Sequence, residues 1–267
     1  MMNTLPPNRG WNWVLVGFAL YRKSPAMWAF LTLSYIMLMQ LLGLVPFLGW
    51  FAATILIPVF SASFMIVSRE LDEGRPLRFD LLFAGFRANL PALLRQGGAY
   101  LGSALAILAL SALIDGGHLL QLMVLGIRPS AAAYTSGRLA WAAIFAGALY
   151  MPMLAAFWFA PALSIWRNMP ALQALFYSFF AATRNWQAFL AYGLALALLS
   201  LICSFALFAL ALLVRALIGN QAQGALLLVM LPVMLSYVPI LFASFYASYR
   251  DVFPEPETPA QAATDAP

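Results

Sequence analysis

The residues Ile57-Pro58-Val59-Phe60-Ser61-Ala62-Ser63-Phe64, running on to Arg69-Glu70-Leu71-Asp72-Glu73-Gly74-Arg75-Pro76-Leu77-Arg78-Phe79-Asp80, set the reading of the whole chain. An apolar run carries a proline in its interior and then stops at an arginine. The same layout returns twice. Counted from Pro58, Pro152 and Pro239, an alanine follows four positions later (Ala62, Ala156, Ala243) and an aromatic six positions later (Phe64, Trp158, Phe245). The runs close at Arg69, Arg167 and Arg250. This recurrence predicts three copies of one membrane-embedded unit.

Composition sets the solvent. Of the 267 residues, 64% are hydrophobic and 9% charged, and the mean hydropathy is +0.88. A soluble domain carries about 25% charged residues, so no water-facing surface can be built from this chain. The net charge of +5 does not point to nucleic acid, because the 14 Lys and Arg stand at the ends of apolar runs and not along one stripe. Cys203 is the lone cysteine, which excludes an intrachain disulfide and a cysteine-based metal site. Sequence patterns for a zinc protease, a serine hydrolase elbow or a phosphate-binding glycine loop are missing, so neither cofactor nor metal is expected and the chain reads as no enzyme. A serine nucleophile at Ser103 or Ser111 would share a helix with His118, and Ser111 lies about 10 Å from it along the axis, beyond direct hydrogen bonding.

About 20 apolar residues cross a bilayer, and charges, Pro and Gly mark the breaks. Six spans emerge: Pro25 to Leu44, Phe47 to Val67, Pro91 to Leu113, Leu139 to Ile165, Gln187 to Val214 and Ala225 to Tyr249. A tight turn at Leu44-Val45-Pro46 joins the first two, and Arg215 to Gly224 reads as a short polar loop. Three amphipathic stretches accompany the spans. Gly10 to Arg22 is expected to lie in the membrane interface, held by Trp11, Trp13 and Phe18, because no cleavage site or leading positive cluster marks it as a signal peptide. Phe79, Leu82, Phe83, Phe86 and Leu90 recur at helical spacing, as do Leu172, Leu175, Phe176, Phe179 and Phe180 after Pro170. Residues 1–250 thus form one transmembrane domain, and the acidic, proline-rich stretch 251–267 reads as a disordered cytoplasmic tail.

Orientation follows from the basic residues. Arg9, Arg22, Lys23, Arg69, Arg75, Arg78, Arg87, Arg95, Arg167, Arg184 and Arg250 fall on one side, and Arg128, Arg138 and Arg215 on the other. The positive-inside rule places both termini in the cytoplasm. Gly10 to Ser68, Phe79 to Trp166 and Ala171 to Tyr249 then become parallel repeats, each an interfacial helix, a proline-free span and a span kinked at Pro58, Pro152 or Pro239.

Candidate functional groups are few. Asp115 and His118 would share a face and pair as a proton relay on a continued helix, whereas a stop at Gly116-Gly117 leaves both in water at the outer interface. Arg75, Arg78, Arg87, Arg95 and Arg184 are placed to meet anionic phospholipid headgroups. Gly98, Gly102 and Ala106 form a ladder of small residues for packing within the chain or for a homo-oligomer.

The stretch from Asp72 to Gly97, DEGRPLRFDLLFAGFRANLPALLRQG, preceded by a proline-bearing span, resembles an uncharacterised family of proteobacterial six-span inner-membrane proteins. More distantly it is similar to the membrane domains found beside glycerophosphoryl diester phosphodiesterases. The resemblance implies a bacterial inner-membrane location and a six-helix fold, and it brings no catalytic residue. Mitochondrial carriers also hold three proline-bearing pairs of spans, but the charged pairs of their gate are lacking here.

Two functions follow. One is a membrane scaffold or envelope-assembly factor that binds lipid or a membrane protein partner; the other is a transporter for a small or lipidic substrate. The hydroxyls within spans (Thr54, Ser61, Ser63, Ser103, Ser111, Ser200, Ser204, Ser236, Ser244) separate them. Convergence on one cavity favours transport, and dispersal to helix contacts favours a scaffold.

Overall fold

The computed structural model describes residues 2–45, 48–219 and 222–254. Pro46 and Phe47, Asn220 and Gln221 of the expected loop, and residues 255–267 of the expected tail lie outside the described residues. Within them the chain is helical throughout: α1 (Arg9–Lys23), α2 (Pro25–Gly43), α3 (Leu48–Asp72), a 3-10 helix (Phe79–Arg87), α4 (Leu90–Asp115), α5 (His118–Leu125), α6 (Ala131–Thr135), α7 (Arg138–Trp158), α8 (Ala160–Trp166), α9 (Ala171–Arg184), α10 (Trp186–Ile218) and α11 (Ala222–Val252). Among the described residues six stretches are long and apolar enough to cross a bilayer: Pro25–Gly43, Leu48–Asp72, Leu90–Asp115, Arg138–Trp166, Trp186–Leu217 and Leu231–Val252. They match the six spans read from the sequence.

Two compact units share these helices. One contains residues 2–36, 64–82 and 184–254. Its seam is α1, whose Gly10, Trp13, Gly17 and Leu20 recur at helical spacing and are buried. A Cβ on Gly17 would stand 2.6 Å from the Ile240 carbonyl oxygen and 2.9 Å from the Ser244 nitrogen; one on Gly10 would fall on the Ala188 carbonyl. Only glycine lets α1 lie directly on α10 and α11. Trp13 fills the space between, edge-on to Phe189 at 5.4 Å and to Tyr192 at 5.7 Å, and the Tyr192 hydroxyl meets Ser244 Oγ at 2.5 Å. In lipid, where apolar side chains gain little by meeting one another, such backbone approach and hydroxyl bonding hold helices together. The expected anchoring of α1 by Trp11, Trp13 and Phe18 therefore needs correction. Trp11 and Phe18 are exposed, but Trp13 is 1% exposed and belongs to the helix seam. Further along, Trp28 of α2 stacks on Phe64 at 6.1 Å, and Phe64 on Phe242 at 4.6 Å.

The other unit contains residues 37–63 and 83–183. Val59, Ala62 and Leu93 form its buried centre, bordered by Leu56, Phe86, Leu90 and Ile165. Glycine again admits close contact: a Cβ on Gly85 would fall on the Val59 carbonyl, and one on Gly97 on that of Ile55. The Gly85 N–H donates to Ser63 Oγ at 2.9 Å. The stretch expected as an amphipathic α-helix from Phe79 is a 3-10 helix of nine residues. Gly98 and Gly102 meet nothing within 4 Å, so the small-residue ladder does not pack within this unit, and the neighbouring Gly97 does.

The fourth span is not continuous. Helix α7 stops at Trp158 and α8 restarts at Ala160, with Pro161 in its first turn. Proline has no N–H to return to the preceding turn. Just before it, the helical bond from Phe159 N–H to the Ala155 carbonyl is replaced by an inserted hydroxyl: Phe159 N–H donates to Ser178 Oγ of α9 at 2.8 Å, and that hydroxyl donates to the Ala155 carbonyl at 2.8 Å. Pro58 lies inside α3, Pro152 inside α7, and both Pro232 and Pro239 inside α11.

Candidate functional site

Polar side chains gather at the helix ends, in three places. The first is the end of α4. Gly116 and Gly117 both adopt positive φ, 70° and 91°, and turn the chain from α4 directly into α5. Asp115, 5% exposed, points into that turn and accepts the N–H of Gly117 at 2.8 Å and of Leu119 at 2.6 Å. His118 Nδ1 lies 2.5 Å from the Asp115 carbonyl oxygen. The shared-face relay between Asp115 and His118 does not form, because the carboxylate is committed to backbone donors and the imidazole to a backbone acceptor. Nor does Asp115 stand in open water. An open cleft of about 530 Å³ adjoins the turn, lined by Asp115, His118, Ser130, Ser136 and Arg138 with Ala132, Ala133 and Leu139.

The second place holds the arginines expected to meet headgroups. Arg75 donates from Nε and Nη2 to both oxygens of Glu70 at 2.7 and 2.9 Å and also pairs with Glu73. Arg69 reaches Glu73 at 2.7 Å, and Arg78 reaches Asp80 at 3.2 Å. The Arg69 hydrogen bond holds the Glu73 carboxyl below its ordinary range, and donation to Glu70 raises Arg75 further above its own. Arg69 and Arg75 are thus engaged with carboxylates at the end of α3, and Arg78 with one in the first turn of the 3-10 helix. Arg87 and Arg95 are exposed, and Arg184 donates to Thr4 Oγ1 at 2.8 Å. Lys23, Ser24 and Arg75 line an open cleft of about 420 Å³ with Leu71, Gly74, Pro76 and Leu77. Lys23 Nζ donates to the Leu71 carbonyl at 2.8 Å.

The third place fastens the N-terminal segment. Asp251 Oδ2 accepts from Trp13 Nε1 at 2.8 Å and pairs with Arg9 at 2.8 Å. Asn185 accepts the Leu5 N–H at 2.8 Å and donates to the Asn3 carbonyl at 3.0 Å, and the Asn3 N–H reaches the Val252 carbonyl at 3.0 Å. Close by, Asp72 accepts from Tyr246 at 2.9 Å and Arg250 at 2.6 Å. Asp251, read from the sequence as the first tail residue, is instead part of the last turn of α11, followed by buried Val252 and Phe253. Its signal lay in the spacing of Arg9 and Trp13, one helical turn apart and both able to donate.

Gln96 was also missed. It is fully buried in α4, and its Nε2 donates to the Ala160 carbonyl at 3.1 Å and to Ser164 Oγ at 2.8 Å, both in α8. Its Oε1 has no partner among the described residues. Among those residues no three His, Cys, Asp or Glu come together as a metal site.

No family model matches the chain, and no solved structure matches it. A probable inner membrane protein of Burkholderia thailandensis is 38% identical over 255 residues, covering 91% of this chain and 90% of that protein. With six apolar helices of spanning length and this likeness along nearly its whole extent, the chain belongs to the family of that probable inner membrane protein.

Proposed function

We propose that this protein is a non-enzymatic scaffold or assembly factor of the bacterial inner membrane, holding lipid or a membrane protein partner at the ends of its helices. The observation that carries this reading is where the span hydroxyls go. Ser63 receives Gly85, Ser244 meets Tyr192, Ser200 meets Tyr237 at 3.0 Å, and Ser236 meets Tyr21 at 2.8 Å. Thr54 and Ser111 return to carbonyls of their own helices. These groups are taken up by helix contacts or by their own backbone, which speaks against their lining a transport path. The relative's name supports the inner-membrane location.

In this reading the chain holds three parallel repeats, each with an interfacial helix and a proline-kinked second span, and both termini are cytoplasmic. Support comes from a contact made more than once. Gly85 packs on the carbonyl of Val59 and on Ser63, next to Pro58 and five residues beyond it; Gly17 packs on the carbonyl of Ile240 and beside Ser244, at the same offsets from Pro239. Helix α9 reaches the span of Pro152 through Ser178. Each short helix thus docks on the proline-bearing span that precedes it, and α1, with none before it, docks on the last. The outward faces are apolar: Trp11, Leu15 and Phe18 of α1, Phe79 and Phe83 of the 3-10 helix, and Leu172, Phe176 and Phe180 of α9. Such faces suit burial at the headgroup boundary, and Arg22 lies 5.9 Å from the Phe18 ring centre at the edge of one. The expected similarity to membrane domains beside glycerophosphoryl diester phosphodiesterases finds no support, since no family model matches the chain, and it plays no part in this reading.

The test is reconstitution of the full chain into liposomes loaded with a panel of ions, sugars, amino acids and fluorescent lipids. The expected result is no movement above protein-free liposomes. Movement of any solute down its gradient would replace the scaffold by the transporter.

A further inference from the structure

We infer that the cleft between the end of α4 and the start of α7 binds the headgroup of a zwitterionic aminophospholipid, of the phosphoethanolamine type. The lining carries both signs. Arg138 is exposed, and its guanidinium has no hydrogen-bond or ion-pair partner among the described residues, so it offers a planar pair of donors to a phosphate. The other charged group of the lining is Asp115, and beside it stand His118, Ser130 and Ser136. The Asp115 carbonyl only accepts, so His118 must present Nδ1–H to it, which leaves Nε2 of the neutral ring as an acceptor. Each oxygen of Asp115 and each of the two hydroxyls already accepts one backbone N–H, and their second lone pairs together with that ring nitrogen are the acceptors for the three N–H donors of a primary ammonium. A net anionic headgroup could place its phosphate on Arg138 but would bring no cation to Asp115. A quaternary ammonium has no N–H to give.

The surroundings fit a lipid better than a free solute. Leu113 is 83% exposed two residues before Asp115, and Trp141 is 67% exposed one turn after Arg138. Ile144 continues the exposed apolar face of α7. A headgroup in the cleft can therefore keep its acyl chains along α4 and α7. This inference needs only that the helices span a bilayer, so it stands or falls apart from the scaffold reading and from the cytoplasmic basic residues.

The experiment titrates the delipidated full chain in detergent with dihexanoyl phosphatidylethanolamine, phosphatidylcholine and phosphatidylglycerol, and with free phosphoethanolamine, by calorimetry. Phosphatidylethanolamine is expected to bind at least about fivefold more tightly than the other three, as one exposed charge-assisted contact of about 1 kcal/mol implies. Arg138→Gln should weaken all three phospholipids about fivefold, and His118→Ala should narrow the preference for phosphatidylethanolamine over phosphatidylcholine. Helix content by circular dichroism should stay unchanged in both variants, as each side chain reaches solvent. Equal binding of the three lipids, undiminished binding by Arg138→Gln with an unchanged preference in His118→Ala, or free phosphoethanolamine binding as tightly as the lipid would each overturn the inference.

Discussion

Replacing Gly17 by alanine tests whether backbone contact, and not side-chain burial, seats α1. In an exposed helix interior that change gains about 0.8 to 1.0 kcal/mol of propensity. Here the added Cβ would stand 2.6 Å from the Ile240 oxygen and 2.9 Å from the Ser244 nitrogen, well inside the 3.4 Å at which ordinary contact begins. Both are backbone atoms of α11, so no side chain can swing aside. Overpacking of this kind costs about 1 to 3 kcal/mol, so after the propensity gain the expected net effect is a loss of up to about 2 kcal/mol. Gly98→Ala is the control, because nothing lies within 4 Å of it, and it should be neutral or stabilising by up to about 1 kcal/mol. Unfolding in detergent, with hydrogen exchange across residues 9–23, measures both. If Gly17→Ala proved as stable as Gly98→Ala, with α1 equally protected, the seam described here would be refuted.

Asp251→Ala should cost about 1.5 to 3 kcal/mol, because it leaves the buried Trp13 N–H without its acceptor and Arg9 without its carboxylate; faster exchange in residues 2–13 is the readout. Ser178→Ala removes the acceptor of Phe159 N–H and the donor to Ala155, and should lower stability by about 1 to 3 kcal/mol with faster exchange at the α7 to α8 joint; unchanged exchange there would count against the joint. Glu73 has a depressed carboxyl value, so its pairing with Arg69 is fully present above the ordinary carboxylate range and is lost as pH falls through the lowered value. Fraying of the last turn of α3 should therefore begin only in acid, and Glu73→Gln should show it already at neutral pH. Reporters fused at the C-terminus should read cytoplasmic, and reporters within residues 120–134 should read periplasmic; the opposite pattern would reverse the topology.

The six spans were legible because a bilayer imposes length and apolarity, and both can be counted along the chain. The break at Phe159 was not, although Pro161 marks it, because a proline inside an apolar run reads equally as a kink or a stop until it is known what enters the opened turn, here the Ser178 hydroxyl. Helix α1 shows a different limit. Its outward residues Trp11 and Phe18 and its inward Trp13 are alike in type, and only the glycines at positions 10 and 17 record that one face meets backbone. At Asp115 the nearby glycines correctly signalled a helix stop, yet the carboxylate's burial depended on which donors the turn would aim at it. The ion pairs of Arg69, Arg75 and Arg78 lay within a few residues and could have been read from Glu70, Glu73 and Asp80. Counting cations for orientation hid them.

The placement of polar groups follows from the solvent. Within hydrocarbon a hydroxyl without a partner is costly, and helix association gains little from apolar burial, so each span hydroxyl is worth most where it ties one helix to another. That is where Ser63, Ser200 and Ser244 are found. At the ends of the spans, water and headgroups remove the penalty, and charged side chains become affordable there: Asp72 with Arg250, Asp251 with Arg9, Arg138 beside Asp115. A protein arranged this way has a fixed interior and chemically active rims. On the scaffold reading proposed above, contacts with a lipid or a partner fall at those rims, and the Arg138 cleft is where substitution should alter binding without first disturbing the spans, whereas Asp251 is bound into the last turn of α11 and cannot be exchanged without loosening α1.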